Sequence, residues 1–375
     1  MYNEERNEIL KVILLPIKPQ YIERILSGEK KFEYRKRISN CDIDRIIIYS
    51  TAPIKAVVGE VEVKGTLSMS KTALWEYTKE HSGISRTKYR EYFAESKIAN
   101  AYILGKACRY PENIALDKLG IKCAPQSFLY LRTCPYCGKV LSKDICLPGY
   151  FSTANSEEHI IPVALGNTTQ IIPSGIICDN CNNYFATNIE KQFLDLESIR
   201  LLRSFHNITN RKKNIPPLEI FMSGEIARFE FDTKNNCAYI GLSDDAIKRL
   251  INDKPKFFFT RGIDIEALNN NYVVSRFLLK VFTETSLLYS LEYSSKSTKI
   301  GVYTIDDVMK QFLQYVRHGN KLKKAYKYTV KQVQEIVPFS DDDFVASIKI
   351  NFIPDTNQIS GMTLRLFEIE FDLVF

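Results

Sequence analysis

Two pairs of cysteines constrain this chain more than any other feature of its sequence. Cys134 and Cys137 lie in CPYCGK, Cys178 and Cys181 lie in CDNCNN, and 40 residues separate the pairs. Each CxxC turn lets two thiolates meet one ion, and two such turns form the tetrahedral site that is typical of structural zinc. A redox CxxC would not need the second pair, and four unrelated buried cysteines are the remaining alternative. We therefore predict a closed zinc site with four cysteine ligands, which leaves no open coordination position for catalysis.

The segment that carries these cysteines differs from the chain on either side. Residues 133–193 contain few long periodic elements and are rich in Cys, Gly, Asn and Pro, so they bury little apolar surface and need a metal for stability. The chain has 375 residues, which is too long for one average domain. We predict an α+β protein with three domains, 1–131, 132–218 and 219–375.

The composition is that of a soluble globular protein, with 45% hydrophobic and 25% charged residues. The sequence has no run of 18 apolar residues, and its acidic start MYNEERNEIL does not suit a signal peptide. We therefore expect a cytoplasmic location and no membrane partner. Residues 1–131 carry 22 Lys and Arg against 16 Asp and Glu, a net charge of +6 that suits an anionic partner such as nucleic acid.

A histidine with an acidic neighbour lies between the two cysteine pairs. The stretch SEEHIIPVALG contains Glu158 and His159, and the second cysteine pair runs directly into Asn182 near the start of a predicted helix. The predicted order of two short strands and a helix brings these three side chains toward one point. Phosphodiester hydrolysis needs a base for water, and oxygen ligands that hold a divalent cation with open positions. The alternative is that His159 is a structural residue packed beneath a zinc turn.

Together these residues resemble the HNH endonuclease family in its zinc-stabilised form. The matching features are the two CxxC pairs and the stretches EHIIP, ALG and CNNYF, all within residues 133–194. The resemblance implies that His159 is the general base and that Glu158 and Asn182 hold Mg²⁺ or Mn²⁺. Asn183 is a competitor for the second ligand position.

One position departs from the family pattern. The middle asparagine of the HNH motif usually lies a few residues before the second cysteine pair, where this chain has Pro173 and Ser174. Because that asparagine orients the loop and the base, its absence implies slower catalysis, a substitute such as Asn167 or Ser174, or an inactive nuclease.

A basic motif follows the first predicted helix. GEKKFEYRKR places Gly28, Lys30, Glu33 and Arg35 in the order G-x-K-x-x-E-x-R, and on an extended segment Glu33 and Arg35 point the same way. A carboxylate and a guanidinium at a pocket rim supply an acceptor and a forked donor, which is enough to read a base edge or a phosphate. A solvated basic strand with local ion pairs explains the spacing equally well.

The wider pattern of residues 10–131 resembles the ASCH domain, a small β-barrel of the PUA-like superfamily. The resemblance is carried by LPIKPQYIERILSGEKKFEYRKR, IYSTAPIKAVVGEVEV, LWEYTKEHSGIS and APQSFLYL. It implies a cleft that binds nucleic acid or a modified nucleoside, and the candidate lining residues are Lys30, Glu33, Arg35, Ser50 and Thr51. Some relatives are small amidohydrolases that act on acylated cytidine, and Lys30 is a candidate for their lysine.

Trp75, the only tryptophan of the chain, is a further candidate. Aromatic side chains stack on extruded bases, which suits this superfamily. The competing interpretation places Trp75 in the core, on an amphipathic helix over residues 71–81.

A base-reading domain joined to an HNH nuclease resembles the architecture of modification-dependent restriction endonucleases. The leading hypothesis is a defence enzyme that cleaves DNA containing modified cytosine, with structural zinc and catalytic Mg²⁺ or Mn²⁺. A single HNH site cuts one strand, so double-strand cleavage needs two protomers, and 219–375 is the candidate region for a homodimer contact. The alternatives are a non-catalytic ASCH regulator with a zinc-ribbon grip, and a nucleoside amidohydrolase.

The last third of the chain shows clear periodic patterns but no catalytic constellation. NNYVVSRFLLKVFTETSLLYSL suits a largely buried helix, and the final RLFEIEFDLVF alternates as one strand with Ile369, Phe371 and Leu373 on its buried side.

Overall fold

The computed structural model of this chain forms two compact units. It describes residues 11–145, 147, 150–206, 208–209, 215, 217–222, 225–232, 237–253, 259–260, 263–296, 307–319, 326–333, 346–354 and 359–375. The first unit comprises the described residues of Met1–Ser156 with Ser174–Cys181, and the second comprises those of Glu157–Pro173 and Asn182–Phe375. The predicted domain boundaries at residues 131 and 218 stay a prediction.

A six-stranded mixed sheet forms the centre of the first unit. Its strands are β1 (Val12–Ile17), β2 (Phe32–Arg35), β3 (Arg45–Ser50), β4 (Ala56–Ser70), β5 (Ile98–Ile114) and β6 (Leu129–Leu131). They lie in the order β2-β5-β4-β3-β1-β6, with β1 and β3 parallel and all other neighbours antiparallel. The α+β class is confirmed, but the described strands do not pair β2 with β6, so the sheet stays open and no closed barrel is formed.

Both faces of this sheet are buried. Ile13 and Leu15 of β1 lie in one apolar cluster, while Val12 and Leu14 lie in a second cluster on the other face. A strand covered on both sides reads as an unbroken apolar run, which explains the sequence VILLPI.

Three helices accompany the sheet. They are α1 (Pro19–Leu26), α2 (Lys71–Thr78) and α3 (Arg86–Tyr92). α1 begins with a proline at its first position and is followed by Gly28 at φ +81°, a left-handed conformation that glycine adopts without strain. The hydroxyls of Ser70 and Ser85 cap α2 and α3 by accepting from backbone N–H groups of the first turn. α2 and α3 pack Leu74 and Tyr89 around Tyr34 of β2.

The first cysteine pair is attached to the same core. Strands β7 (Val140–Ser142) and β8 (Phe151–Thr153) pair in parallel, and Val140 and Phe151 join the second apolar cluster of the sheet.

Short 3-10 turns lie at Lys79–His81, Leu116–Leu119 and Val163–Leu165.

The second unit contains the remaining elements. Its strands are β9 (Glu158–His159), β10 (Ile171–Ile172), β11 (Leu218–Met222), β12 (Glu225–Asp232), β13 (Cys237–Gly241), β14 (Phe259–Thr260), β15 (Tyr328–Gln332), β16 (Ala346–Phe352), β17 (Ile359–Leu366) and β18 (Ile369–Val374). Its helices are α4 (Asp179–Phe185), which starts in the first unit, a π-helix (Ala186–Glu190), α5 (Lys191–Leu194), α6 (Glu197–Phe205), α7 (Asp244–Asp253), α8 (Ile265–Leu268), α9 (Tyr272–Lys296) and α10 (Asp307–His318). The strands form a β10-β9 pair and two four-stranded sheets, β13-β12-β11-β14 and β15-β18-β17-β16.

Helix α9 runs through the core of the second unit. Phe277 stacks on Phe193 with ring centroids 3.9 Å apart, and Phe282 packs against Phe312 of α10. The predicted buried helix is therefore confirmed in this part of the chain.

The C-terminal alternation is divided between two strands. Ile369, Phe371 and Leu373 are buried as predicted, but β17 ends at Leu366 and β18 begins at Ile369. The prediction of one strand over RLFEIEFDLVF was wrong, because Phe367 adopts φ +55° and turns the chain back into a hairpin. Glu368 in this turn lies 2.8 Å from the Nε2 of His206, a partner that the sequence had not indicated.

Candidate functional site

The four cysteines of the two CxxC pairs lie together in the first unit. Their sulfur atoms are all within 4.8 Å of one another, and Cys134, Cys178 and Cys181 are fully buried. The Sγ atoms of Cys137 and Cys178 are 3.6 Å apart. An ion with Zn–S bonds of about 2.3 Å in a tetrahedron separates its sulfurs by about 3.8 Å, so the cluster has the dimensions of a four-cysteine zinc site.

Local backbone structure sets the position of both CxxC turns. The N–H of Gly138 donates to the carbonyl of Cys134 at 2.8 Å, and Gly138 adopts φ +67°, a left-handed conformation that glycine adopts without strain. In the second turn the carboxylate of Asp179 accepts hydrogen bonds from the N–H groups of Asn155 and Ser156, at 3.0 and 2.9 Å. This carboxylate ties the start of α4 to the segment that follows β8.

The chemistry of these thiols suits a cation. Burial raises the pKa of the Cys134 thiol well above its usual value, because a thiolate loses hydration in this environment. Four thiolates at this spacing repel one another, and a soft divalent ion with a preference for sulfur ligands removes that repulsion. The cluster therefore fits a structural zinc ion.

The basic motif of β2 forms a charged cluster in the same unit. The Nζ of Lys30 lies 3.6 Å from one oxygen of Glu33, and the guanidinium of Arg35 lies 2.9 Å from the other. Lys30 is almost completely buried and donates to the carbonyl of Ser82 at 2.8 Å. Burial lowers the pKa of Lys30, and the nearby Glu33 only partly offsets this. The structure thus excludes a solvated basic strand and brings these three side chains together.

The rim of this cluster reaches the ends of β1 and β3. Arg35 donates to the carbonyl of Pro16 at 2.7 Å, and Ile17, the next residue, is the register partner of Ser50. The N–H of Thr51 donates to the carbonyl of Ile17 at 3.0 Å. The Nε of Arg35 is buried without a hydrogen-bond partner among the described residues. An acceptor that binds there would satisfy this buried donor.

Trp75 lies in a separate place. It packs against the ring of Tyr89 at a centroid distance of 4.9 Å and lines an open pocket of about 250 Å³. The pocket is lined by two aromatic and three basic side chains and a hydroxyl, namely Trp75, Tyr89, Lys71, Arg86, Arg90 and Thr72. None of the other candidate base-binding residues lines it, so the structure does not group Trp75 with Lys30, Glu33 and Arg35.

Glu158 and His159 form strand β9 in the second unit. Glu158 pairs with Ile172 and His159 with Ile171 of β10. The side chain of Glu158 is buried, whereas His159 is half-buried and its imidazole has no hydrogen bond or ion pair to the described residues. An imidazole in this state keeps both ring nitrogens available for a proton transfer.

A buried lysine that the sequence analysis missed is the partner of Glu158. The ammonium of Lys280 on α9 lies 2.7 Å from Glu158, 2.9 Å from Glu190 and 2.8 Å from Glu284. Burial alone would lower the pKa of Lys280, but these three carboxylates raise it well above its usual value. Burial raises the pKa of Glu158, and Lys280 opposes this shift. The signal in the sequence was a charged pair, Lys280 and Glu284, four residues apart within a helix that was predicted to be largely buried.

Two asparagines have defined contacts near this strand. The Nδ2 of Asn182 donates to the carbonyl of Glu157 at 2.9 Å, so the helix residue lies beside the segment that carries Glu158. Asn167 is fully buried, donates to the carbonyls of Ile161 and Gln170, and accepts from the N–H groups of Thr169 and Gln170. Asn167 therefore holds the loop between β9 and β10 together, and whether it replaces the middle asparagine of the motif stays a prediction.

Two family models match this chain, one over the charged cluster of β2 and one over the clustered cysteines. Residues 15–106 match the family model described as ASCH domain, and residues 134–196 match the model described as HNH endonuclease. The chain carries an ASCH domain and an HNH endonuclease domain. The HNH domain includes all four clustered cysteines together with Glu158, His159 and Asn182, and the ASCH domain includes the charged cluster of β2.

Individual relatives match parts of this chain. An ASCH domain-containing ribonuclease of Zymomonas mobilis is 30% identical over 95 residues, which are 25% of this chain and 64% of that protein. The ATP synthase subunit alpha of Ureaplasma parvum is 26% identical over 121 residues, 32% of this chain and 15% of that protein. The chain thus spans less than two thirds of the length of these relatives. The crystal structure of ASCH from Zymomonas mobilis shares 30% identity, covers 32% of this chain and 88% of its own, and has a TM-score of 0.31.

Within the described part of the chain, no helix has the length and hydropathy needed to cross a membrane.

Proposed function

We propose that this chain is a metal-dependent endonuclease whose ASCH domain reads a modified base, modified cytosine being the leading candidate, in DNA. The observation that carries the proposal is the presence of both domains in one chain, with the imidazole of His159 unpaired among the described residues. A cytoplasmic location and a role in defence belong to the same proposal.

In the HNH domain, His159 is the general base that takes a proton from the attacking water. Glu158 and Asn182 hold the catalytic Mg²⁺ or Mn²⁺ through oxygen atoms, which are the ligands that hard cations prefer. Two observations support this fit. The Oε2 of Glu158 is buried without a hydrogen-bond partner among the described residues, and the Nδ2 of Asn182 donates to the carbonyl of Glu157, which places Asn182 beside the segment that carries Glu158. The ion supplies charge stabilisation for the phosphate and the leaving oxygen.

In the ASCH domain, Lys30, Glu33 and Arg35 recognise the base, with Ser50 and Thr51 at the rim. Glu33 offers a hydrogen-bond acceptor and Arg35 a donor. The Nε of Arg35, which has no partner among the described residues, gains a hydrogen bond when an acceptor enters the cleft. An extruded base presents its hydrogen-bonding edge to groups of this kind.

The pocket beside Trp75 supports binding of the nucleic-acid backbone. Lys71, Arg86 and Arg90 are close enough to line one pocket, and no acidic side chain lines it. Basic side chains that neutralise phosphates, next to an aromatic ring that stacks on a base, are the usual means of holding a single strand.

The decisive experiment incubates the purified protein and Mn²⁺ with matched DNA duplexes that contain cytosine or modified cytosine. We expect preferential cutting of the modified duplex, and a loss of about 10²–10⁴-fold in rate for His159→Ala at unchanged zinc content and melting temperature. His81→Ala is the matched control, because His81 is exposed and lies in the first unit. Unchanged cleavage by His159→Ala would remove His159 from the reaction.

The same assay separates the alternatives. A shift of DNA mobility without cutting favours the non-catalytic ASCH regulator with a zinc-ribbon grip, and release of an acyl group from an acylated nucleoside favours the amidohydrolase. Double-strand cleavage that depends on protein concentration supports a homodimer.

A second candidate function is cleavage of RNA by the ASCH domain. It is favoured by the ribonuclease of Zymomonas mobilis and by Lys30, whose lowered pKa gives a larger neutral fraction that can accept a proton. In that case the His159→Ala variant still cuts RNA, whereas the Lys30→Met variant does not. The reverse result assigns the reaction to the HNH domain.

A further inference from the structure

We propose that Lys280 is a positioning residue for the HNH domain: from helix α9 it fixes strand β9, and with it both the carboxylate of Glu158 and the backbone of His159. The part of this inference that concerns catalysis rests on the proposed function. The family model that assigns the HNH domain ends at residue 196, so Lys280 lies outside it.

The contacts of Lys280 converge on three consecutive residues. Its Nζ lies 2.7 Å from the carboxylate of Glu158 and donates to the carbonyls of His159 at 3.0 Å and Ile160 at 3.4 Å. A single ammonium thus contacts the side chain of Glu158 and two backbone carbonyls, one in the strand that carries the proposed base and one directly after it. Its charge attracts all three acceptors, which limits both the direction of the Glu158 side chain and the path of the backbone at His159.

Two further carboxylates hold the ammonium in place. Glu284 lies one helical turn along α9 and is fully buried, and Glu190 is the last residue of the π-helix. Because Lys280 is itself fully buried, its long side chain has no solvent in which to move. Glu284 and Glu190 therefore hold the ammonium of Lys280 in one position.

Filling the space at position 280 does not require a charged side chain. Buried ion clusters are often no more stable than apolar side chains of the same volume, because each ion loses its hydration. A methionine in place of Lys280 would occupy a similar volume in the neighbourhood of Phe277 and Val281. What an apolar residue cannot supply is the set of directed contacts to β9.

The test compares the wild type with Lys280→Met/Glu284→Met. This double variant removes the buried ammonium together with Glu284, the fully buried carboxyl group that contacts it from the same helix, so Glu284 is not left without its partner and folding is retained better than in Lys280→Met alone. We expect a kcat for DNA cleavage reduced by about 10²-fold, and a higher Mn²⁺ concentration for half-maximal rate, with unchanged affinity for DNA in the absence of metal. Lys280→Arg should keep the fold and recover only part of the activity, because a planar guanidinium does not reproduce a point charge.

A readout that does not depend on activity accompanies the kinetics. Amide hydrogen exchange at Ile160, which donates to the carbonyl of Gln170, should be faster in the double variant, whereas exchange in β17 and β18 is unchanged. Lys331→Met is the matched control, because Lys331 also pairs with two carboxylates, Glu370 and Asp372, but is exposed.

The outcomes are distinct. Wild-type kcat and wild-type exchange at β9 in the folded double variant overturn the positioning role. If the wild type cuts no nucleic acid, the proposed function fails, and exchange at β9 still decides whether Lys280 fixes the strand.

Discussion

The indole of Trp75 lies against the ring of Tyr89, with ring centroids 4.9 Å apart, and both rings line a pocket that three basic side chains also line. Because Trp75 is the only tryptophan, its fluorescence reports on this pocket alone. Trp75 also packs, partly buried, against the aromatic cluster that contains Tyr34 and Phe93, and its role in base stacking stays a prediction.

Binding of single-stranded DNA should quench the fluorescence of Trp75. The variant Arg86→Glu/Arg90→Glu should weaken this binding and reduce the slope of log K against log salt by about 1.4, since each phosphate contact to a single strand contributes about 0.7. Lys248→Glu/Arg249→Glu on α7 makes the same change of net charge at exposed positions and is the control. An equal loss of affinity in the control would indicate that net charge, and not this pocket, attracts the strand.

Zinc should bind with a stoichiometry of one ion per chain. Cys178→Ala should lose the metal and lower the melting temperature by about 6–12 °C, if loss of the ion costs about 3 kcal/mol and each kcal/mol shifts the midpoint by about 2–4 °C. Zinc is measured by mass spectrometry and the midpoint by calorimetry. Cys123→Ala is the control, because Cys123 is exposed and outside the cluster. Retention of zinc by Cys178→Ala would contradict the assignment of a four-cysteine zinc site.

Asn182 and Asn183 can be distinguished by their effect on metal dependence. Asn182 contacts the backbone of Glu157, whereas Asn183 is exposed and its carbonyl accepts from the hydroxyl of Thr187. We expect Asn182→Ala to slow cleavage by about 10²-fold or more, since a metal ligand supplies several kcal/mol of transition-state stabilisation, and Asn183→Ala to change it little. Rates are measured across a series of Mn²⁺ concentrations. The opposite order would transfer the ligand role to Asn183.

Stability should fall in alkaline solution because of Tyr34. Burial raises the pKa of Tyr34 to about 12, while its hydrogen bond to Thr78 at 2.6 Å opposes this shift. The unfolded chain ionises near pH 10, so between about pH 10 and 12 the unfolded state binds fewer protons and the free energy of unfolding decreases as pH rises. Urea midpoints measured from pH 8 to 11 should decline less steeply in Tyr34→Phe than in Tyr77→Phe, whose parent residue is exposed. Equal slopes would show that Tyr34 does not titrate abnormally.

Features with short sequence spacing were predicted well. The cysteine cluster follows from two turns that each bring a pair of thiols together, and the burial of Ile369, Phe371 and Leu373 follows from the period of a strand. The hairpin at Phe367 was missed, because alternation by itself does not reveal where a strand turns back.

The sequence by itself indicated which residues are candidates for the chemistry of this protein: the thiols of the CxxC pairs, the pair Glu158 and His159, and the basic motif of β2. Tertiary structure alone decided their surroundings. It separated Trp75 from Lys30, and it brought Lys280, 121 residues beyond His159, against strand β9. The physical reason is that a turn or strand pattern acts within a few residues, whereas the partner of a buried charge is selected by packing between segments that lie far apart in the chain.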